Sequence, residues 1–163
     1  MKTHVKVRVP ATSANMGPGF DCLGMALDIW NTVEVTLGPP GFEITGHGRD
    51  SLPRDTTNLV HQSIVRGFSE LNQPIPDFKV TCHNNVPLTG GLGSSSAALV
   101  GGLMAANALC ENAMPVDDLL QVAAEIEGHP DNVTPALLGG FQIAVNHENR
   151  VIAASVPIPD GLS

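Results

Sequence analysis

Hydrophobic and polar positions follow two periods along the chain, one typical of strands and the other of helices. Alternation with a period of two predicts strands at residues 4–9, 21–28, 31–37, 42–46 and 76–84 and a closing pair at 141–146 and 151–156. Pro10 is expected to end the first strand, so that residues 11–20 form a loop. Helical spacing predicts helices at about 55–72, 95–111, 115–127 and 131–138. Because strands cluster early and helices late, with two strands at the end, the order predicts an α+β fold rather than a doubly wound sheet.

Charged residues are distributed unevenly over the chain. It has 163 residues, with 8 Lys and Arg against 16 Asp and Glu, which gives a formal net charge of −8. Residues 80–149 contain neither Lys nor Arg. An acidic chain with a long cation-free stretch is poorly suited to nucleic acid or to an anionic membrane, and one Trp without any Tyr provides no platform for stacking bases. Neither nucleic acid nor a membrane is therefore an expected partner.

Cysteine usage and the N-terminus bear on the compartment. The chain has an odd number of cysteines, and they are too far apart in sequence for a metal knuckle: Cys22, Cys82 and Cys110. We therefore expect reduced thiols. The first ten residues lack the apolar core of a signal peptide, and no apolar run is long enough to span a bilayer. The sequence thus predicts a cytoplasmic protein.

The strongest candidate for a functional element is the stretch PLTGGLGSSS at residues 87–96, directly before a predicted helix. Its glycines let a ligand approach the main chain, and its serines bring hydroxyls and N–H groups to a helix N-terminus, which suits an anion. No Lys follows Gly93, as the usual P-loop requires, and Ser96 stands where a dinucleotide fingerprint requires glycine. The alternative interpretation is a glycine-rich turn with a serine N-cap.

The lack of cations near this loop has a chemical consequence. A triphosphate carries about four negative charges, whereas one helix end supplies about half a positive charge. The balance must come from a metal ion or from cations elsewhere, and Mg²⁺ is suitable because it takes oxygen ligands from protein, phosphate and water. Ser95 can offer a hydroxyl, and an acid within residues 111–131 can offer a carboxylate.

Two further polar clusters lie on either side of this loop in the sequence. EIEGHPDNV at residues 125–133 gathers acids, a histidine and an asparagine in a turn, which suits a binding site; its alternative is a solvated helix end capped by Gly128. ATSANMGPGFD at residues 11–21 is a long polar segment that is either a second part of the site or a plain connection between strands. The sequence has no G-x-S-x-G motif, which disfavours a hydrolase with a serine triad. Its six histidines lack the spacing of a zinc site.

Taken in order, these three stretches resemble the GHMP kinase superfamily. PATSANMGPGFDCLGMALD is similar to its first motif, PLTGGLGSSSAA to its phosphate loop, and EGHPDNVTPALLGG to a motif of the homoserine kinases among its members. The resemblance implies an α+β GHMP kinase N-terminal domain over residues 1–163, similar to ribosomal protein S5 domain 2, without the second, C-terminal domain of such kinases. It implies ATP-dependent phosphorylation of the side-chain hydroxyl of L-homoserine in threonine biosynthesis.

The resemblance also implies which residues meet the substrate. Asn15, Asp21, His129 and Asn132 would bind homoserine, with Asp21 at its amino group. Asn132 and Asp131 are the candidate catalytic residues, and the identity of a base stays open. Phosphoryl transfer through a loose transition state depends more on positioning and charge neutralisation than on a strong base.

Nucleotide and metal roles follow from the same resemblance. Ser95 and Glu127 would bind Mg²⁺, with Glu125 as an open alternative to Glu127. Asn58 would lie at the adenine. The phosphates would be wrapped by the loop and the helix start, namely Pro87, Leu88, Thr89, Gly90, Gly91, Leu92, Gly93, Ser94, Ser95, Ser96, Ala97 and Ala98.

Two other functions compete with this one. Another small-molecule kinase of the superfamily, such as a mevalonate-type kinase, is disfavoured by the H-P-D-N-V motif. A nucleotide-binding module without turnover is favoured by the abrupt end at IPDGLS, which suggests a fragment, and by the lack of cations in residues 80–149 to hold a substrate carboxylate. A homodimer is a candidate assembly that the residues do not determine.

Overall fold

The computed structural model describes residues 1–148 and 150–158. Its strands are β1 (His4–Ala14), β2 (Leu23–Leu37), β3 (Gly41–Gly46), β4 (Phe78–Asn84), β5 (Phe141–His147) and β6 (Arg150–Val156). Its helices are α1 (Leu59–Glu70), α2 (Ser94–Leu109), α3 (Val116–Glu127) and α4 (Pro130–Leu138). This order agrees with the predicted α+β arrangement. The prediction about how the chain ends falls partly on residues 159–163, which lie outside the described residues.

β2 is the central strand of the sheet. It pairs antiparallel with β1 along most of its length, with β4 over Thr32–Leu37 and with β5 over Leu23–Met25. β6 extends the sheet beyond β5, and β3 lies parallel to β4. Because β5 pairs with the very start of β2, the β1–β2 connection lies beside α4, the helix that precedes β5.

Two strand boundaries differ from the sequence prediction. β1 does not end at Pro10 but continues to Ala14, and the separately predicted strands at 21–28 and 31–37 are one strand, β2. The physical reason is a bulge: Pro10 pairs with Trp30 and Ala11 with Leu27, so the two β2 residues between them have no partner in β1. A bulge tolerates a proline and interrupts the period-two pattern, which made one strand look like two.

α1 and α2 pack closely and in the same direction. A Cβ added to Gly102 would lie 2.6 Å from the Cβ of Ser63, and one added to Gly67 would lie 2.7 Å from the Cβ of Ala106. Residues without bulk therefore set the separation of the two helices. Since the earlier residue of each helix meets the earlier residue of the other, both N-termini lie at the same end of the pair.

α2 is the central helix of the core. It contributes to one buried cluster with α3, α4 and the β5–β6 pair, and to a second with α1, β2 and β4. Leu99 and Leu103 belong to the first cluster, whereas Ala105 and Leu109 belong to the second. A helix buried from both sides has a fixed start, so the loop before it is held in a defined place.

Candidate active site

α2 begins where the predicted phosphate loop ends. Gly93 precedes its first residue with φ 63° and ψ 31°, a left-handed conformation, and the helix start has no side-chain cap. Gly90 and Gly91 also have positive φ, with open space where a side chain would lie. The first N–H groups of a helix lack intrahelical partners, and here no side chain takes them. They remain available, with the positive end of the helix dipole, for an anion.

Glu127, the last residue of α3, lies beside this helix start. Its Oε1 accepts hydrogen bonds from the hydroxyls of Ser96, at 2.7 Å, and of Ser95, at 3.3 Å. Glu125 lies apart, because its carboxylate pairs with Arg66 at 3.0 Å. No salt bridge in the described part of the chain involves Glu127. The end of α3 therefore places a carboxylate, without an ion-pair partner in the described residues, next to two serine hydroxyls at the start of α2.

Asp131, in the first turn of α4, gathers the other predicted site residues. Its Oδ2 accepts a hydrogen bond from Nδ2 of Asn15 at 2.8 Å. Its Oδ1 lies 2.7 Å from Nδ1 of His129 and accepts the N–H of Asn132 at 2.9 Å. Asn15 in turn accepts the N–H of Asp21 at 2.9 Å. The residues predicted to meet the substrate thus form one hydrogen-bonded group around a buried carboxylate.

Thr12 joins the loop to this group, although no sequence pattern singled it out. It is fully buried; its hydroxyl donates to Oδ1 of Asn132 at 2.7 Å, and its N–H donates to the carbonyl of Leu92 at 3.1 Å. A Cβ on Gly93 would lie 1.9 Å from Oγ1 of Thr12 and 3.1 Å from Oδ1 of Asn132. The start of α2 and the polar group are therefore in direct contact. Thr12 lies within the polar segment at residues 11–21, but its role depends on contacts with Leu92 and Asn132 that sequence spacing does not reveal.

A cavity of about 370 Å³ lies beside the start of α2. Its lining includes the apolar side chains of Ile44 and Leu52, and also Asn58 and Ser95. Cys82 lines it as well, and burial raises the pKa of this thiol to about 12, so the thiol stays protonated and is not a nucleophile. An apolar cavity of this size that ends at a helix N-terminus fits a flat base with an attached anion.

Two kinds of feature are absent from the described residues. Within residues 1–148 and 150–158, no three His, Cys, Asp or Glu side chains form a group that could hold a metal ion. Nor is any helix of that region long and apolar enough to cross a membrane. A cation at the start of α2 would therefore depend on hydroxyl, phosphate or water oxygens in addition to Glu127.

Residues 58–140 match the protein family described as GHMP kinases N terminal domain. The match begins at the residue that caps α1 and runs through α4, so it includes the phosphate loop and Asp131 with its neighbours His129 and Asn132, whereas Asn15 and Asp21 precede it. The chain belongs to the GHMP kinase family. This confirms the resemblance inferred from the three motifs, and with it the predicted fold.

Homoserine kinases are among the relatives of this GHMP kinase chain. That of Carboxydothermus hydrogenoformans is 49% identical over 160 residues, which cover 96% of this chain and 52% of the relative. That of Desulfitobacterium hafniense is 50% identical over 154 residues, covering 93% and 52%. The crystal structure of homoserine kinase from Cytophaga hutchinsonii has a TM-score of 0.82 at 37% identity, covering 98% of this chain and 53% of that one. The chain spans about half the length of the relatives it matches.

Proposed function

We propose that this chain forms the nucleotide- and substrate-binding half of a homoserine kinase, which transfers the γ-phosphoryl group of ATP to the side-chain hydroxyl of L-homoserine. The observation that carries the proposal is the contact at Gly93, where the helix start suited to phosphate meets Thr12 and Asn132. A phosphoryl group at that helix start would lie beside the residues that the family resemblance assigns to the substrate. The identity of 49–50% to homoserine kinases supports homoserine as that substrate.

In this proposal the cavity beside α2 takes the nucleotide. The adenine lies between the apolar walls near Asn58, and the phosphates lie along residues 87–98, where main-chain N–H groups are the donors. The open space at Gly90 and Gly91 lets the phosphates approach the main chain. The cation-free stretch means that these donors cannot balance the phosphate charge alone.

The donor set beside the loop fits Mg²⁺, which prefers oxygen ligands. Ser95 and Glu127 would hold it together with phosphate and water oxygens, and Ser96 would orient Glu127 through their 2.7 Å hydrogen bond. Glu127 is preferred over Glu125 because the latter already pairs with Arg66. When bound, the ion neutralises charge on the transferring phosphoryl group.

Homoserine would lie against the Asp131 group. The exposed carboxylate of Asp21 is placed to attract its ammonium, while His129 and Asn132 offer polar atoms to its hydroxyl end. Asn15 holds the turn that presents Asp21. The contribution of these residues is alignment of the hydroxyl with the γ-phosphate, which is the main requirement of a loose phosphoryl-transfer step.

The proposal extends to the setting of the reaction. It places the chain in threonine biosynthesis, in the cytoplasm, with a small-molecule substrate and neither nucleic acid nor a membrane as partner. A homodimer stays a candidate assembly. A nucleotide-binding module without turnover is the second candidate, favoured by the fact that the chain spans about half the length of its relatives.

ADP release with L-homoserine, ATP and Mg²⁺ tests the proposal. The assay is run on this chain and on the full-length Carboxydothermus relative, with mevalonate as the matched control substrate. We expect homoserine-dependent ADP release that mevalonate does not support. Calorimetry with MgATP on this chain separates the alternative: nucleotide binding without homoserine-dependent turnover would support the module. ADP release that mevalonate stimulates as well as homoserine would contradict the proposed substrate.

A further inference from the structure

Asp131 carries a carboxylate with no exposed side-chain surface and, in the described part of the chain, no Lys or Arg partner. A buried charge is costly unless hydrogen bonds satisfy it. Donors from Asn15, His129 and the main chain of Asn132 do so here. Because both oxygens are engaged and neither side of the carboxylate is open to solvent, Asp131 is not placed to touch a substrate.

The two oxygens of Asp131 hold different parts of the site. Through Oδ2 the carboxylate fixes the side-chain amide of Asn15, which leaves the Asn15 oxygen facing the N–H of Asp21. Asn15 and Asp21 have φ of 58° and 54°, a left-handed conformation that needs support in a residue other than glycine. Through Oδ1 it orients the His129 ring, because an ionised carboxylate accepts only and Nδ1 must donate to it.

The main chain of Asp131 is itself fixed. A Cβ on Gly24 would lie 1.9 Å from the carbonyl oxygen of Asp131 and 2.9 Å from the ring of Pro135. Only glycine in β2 permits this approach, so the first turn of α4 rests directly on the sheet. The carboxylate therefore has a fixed position relative to the sheet. From there it binds residues of the β1–β2 connection and of the turn before α4.

We infer that Asp131 is a positioning residue of the site: it holds Asn15 and His129, from two distant segments, in the orientation that meets the substrate, and it does not act on the substrate itself. This inference rests on the proposed function for the identity of the substrate. It replaces the catalytic role that the family resemblance left open for Asp131 with an indirect one.

The substitution Asp131→Asn tests the hydrogen-bond pattern. The new amide has one acceptor oxygen and one donor nitrogen, the NH₂ group, and the N–H of Asn132 requires the acceptor at the Oδ1 position. The donor then faces Nδ2 of Asn15, so two donors meet. Asn15 cannot relieve this by turning its amide, because its oxygen already accepts the N–H of Asp21.

A reciprocal exchange repairs this conflict. In the double variant Asn15→Asp with Asp131→Asn, the new carboxylate accepts from both the N–H of Asp21 and the new amide. Every hydrogen bond of the group is retained and the net charge is unchanged, but the carboxylate has moved from position 131 to position 15. The single variant Asn15→Asp instead places two carboxylates against each other, which is destabilising.

Steady-state kinetics and backbone amide chemical shifts compare the wild type, the two single variants and the double variant. For Asp131→Asn we expect the KM for homoserine to rise about tenfold or more, the fold-change of one unpaired buried donor, while the KM for ATP stays within about twofold. The backbone amide resonance of Asp21 shifts in Asp131→Asn and returns in the double variant. The double variant also recovers most of the homoserine KM and the melting temperature, and Asn15→Asp alone recovers neither.

Several results would overturn the inference. One is an Asp131→Asn variant that keeps the homoserine KM, the Asp21 resonance and the melting temperature. Another is a loss confined to kcat that the double variant does not restore, which would make Asp131 a base. The control Asp117→Asn, the same change at an exposed first-turn position of α3, is expected to move none of these readouts. If the wild type shows no homoserine turnover, the proposed function fails, whereas the Asp21 resonance and the melting temperatures still decide the role of Asp131.

Discussion

Two helix N-termini line the same cavity, and they satisfy their backbone donors in different ways. At α1, Oδ1 of Asn58 accepts the N–H of Val60 at 2.9 Å, and its Nδ2 donates to the carbonyl of Pro53 at 2.8 Å. At α2, Gly93 supplies no side-chain acceptor. α1 is therefore closed by its own chain, whereas α2 has donors left over for a ligand.

The turn before α1 strengthens this contrast. Asp55 accepts both the N–H and the hydroxyl of Thr57, and these hydrogen bonds lower the pKa of its carboxyl. The residues before α2 instead include glycines with nothing near them. Order at α1 is built in by side chains, and order at α2 is expected to increase when an anion binds. This difference is consistent with the proposed nucleotide position, in which the adenine would lie on the α1 side and the phosphates on the α2 side.

The largest effect is expected from Gly93→Ala, at the uncapped start of α2. The added Cβ would overlap Oγ1 of Thr12 in a left-handed backbone position, and together these cost about 2–6 kcal/mol in the free energy of unfolding. Gly91→Ala is the matched control, because its φ is also positive but nothing lies within 4 Å; we expect about 1–2 kcal/mol. Chemical denaturation measures both. Equal losses for the two variants would contradict the contact at Gly93.

The next effect concerns the charge of Glu127 beside the uncapped start of α2. Glu127→Gln is expected to weaken MgATP binding about tenfold, because a charged oxygen ligand is lost, while ATP without Mg²⁺ binds as well as before or better. Glu125→Gln removes an equal charge from an exposed residue that pairs with Arg66, and we expect less than about a twofold change. Calorimetry with and without Mg²⁺ compares the variants. Equal effects on MgATP would argue against Glu127 as the metal ligand.

A smaller effect is expected at the start of α1, which Asn58 caps. Asn58→Ala removes the cap of α1 and should lower the free energy of unfolding by about 1 kcal/mol. Asn58→Ser keeps an acceptor for the N–H of Val60 and loses only the donor to the carbonyl of Pro53, so it should lose less stability. Chemical denaturation of the apoprotein ranks the two variants. If Asn58→Ala left stability unchanged, the cap would not distinguish α1 from α2.

Sequence patterns predicted most elements of this fold and the segments that meet at its candidate site. The alternating strands, the amphipathic helices and the glycine-serine loop each carry a local signal, and the α+β order followed from them. The bulge at Pro10 breaks the alternation on which the strand prediction rests, so the prediction divides β2 and ends β1 early. Thr12 lies within the predicted segment at residues 11–21, but its individual role comes from contacts with Gly93 and Asn132 that sequence spacing does not reveal.

The choice between two acids shows the same limit. Glu125 and Glu127 are the same residue type at the end of one predicted helix, so the sequence does not distinguish them. In the structure, the packing of α3 directs Glu125 towards Arg66 and Glu127 towards Ser96. Long-range contacts of this kind depend on how elements pack, which local periodicity does not encode. Motifs thus indicated which segments meet at the candidate site, and the tertiary structure shows which of their side chains contact one another.

The smallest effect is expected from pH, and it isolates one side chain of α1. Burial lowers the pKa of His61 below its ordinary value of 6.5, an effect that Asp55 partly opposes. The unfolded chain therefore binds a proton that the folded chain resists, so stability falls as pH drops below about 6.5. His61→Gln removes this contribution, and its melting temperature should decline less than that of the wild type between about pH 7 and pH 5. Asp55 does not contribute in that window, because its pKa lies below its ordinary 3.8. If the melting temperatures of the two proteins declined in parallel with pH, the partly buried ring of His61, whose centroid lies 5.0 Å from that of Phe78, would not couple α1 to pH.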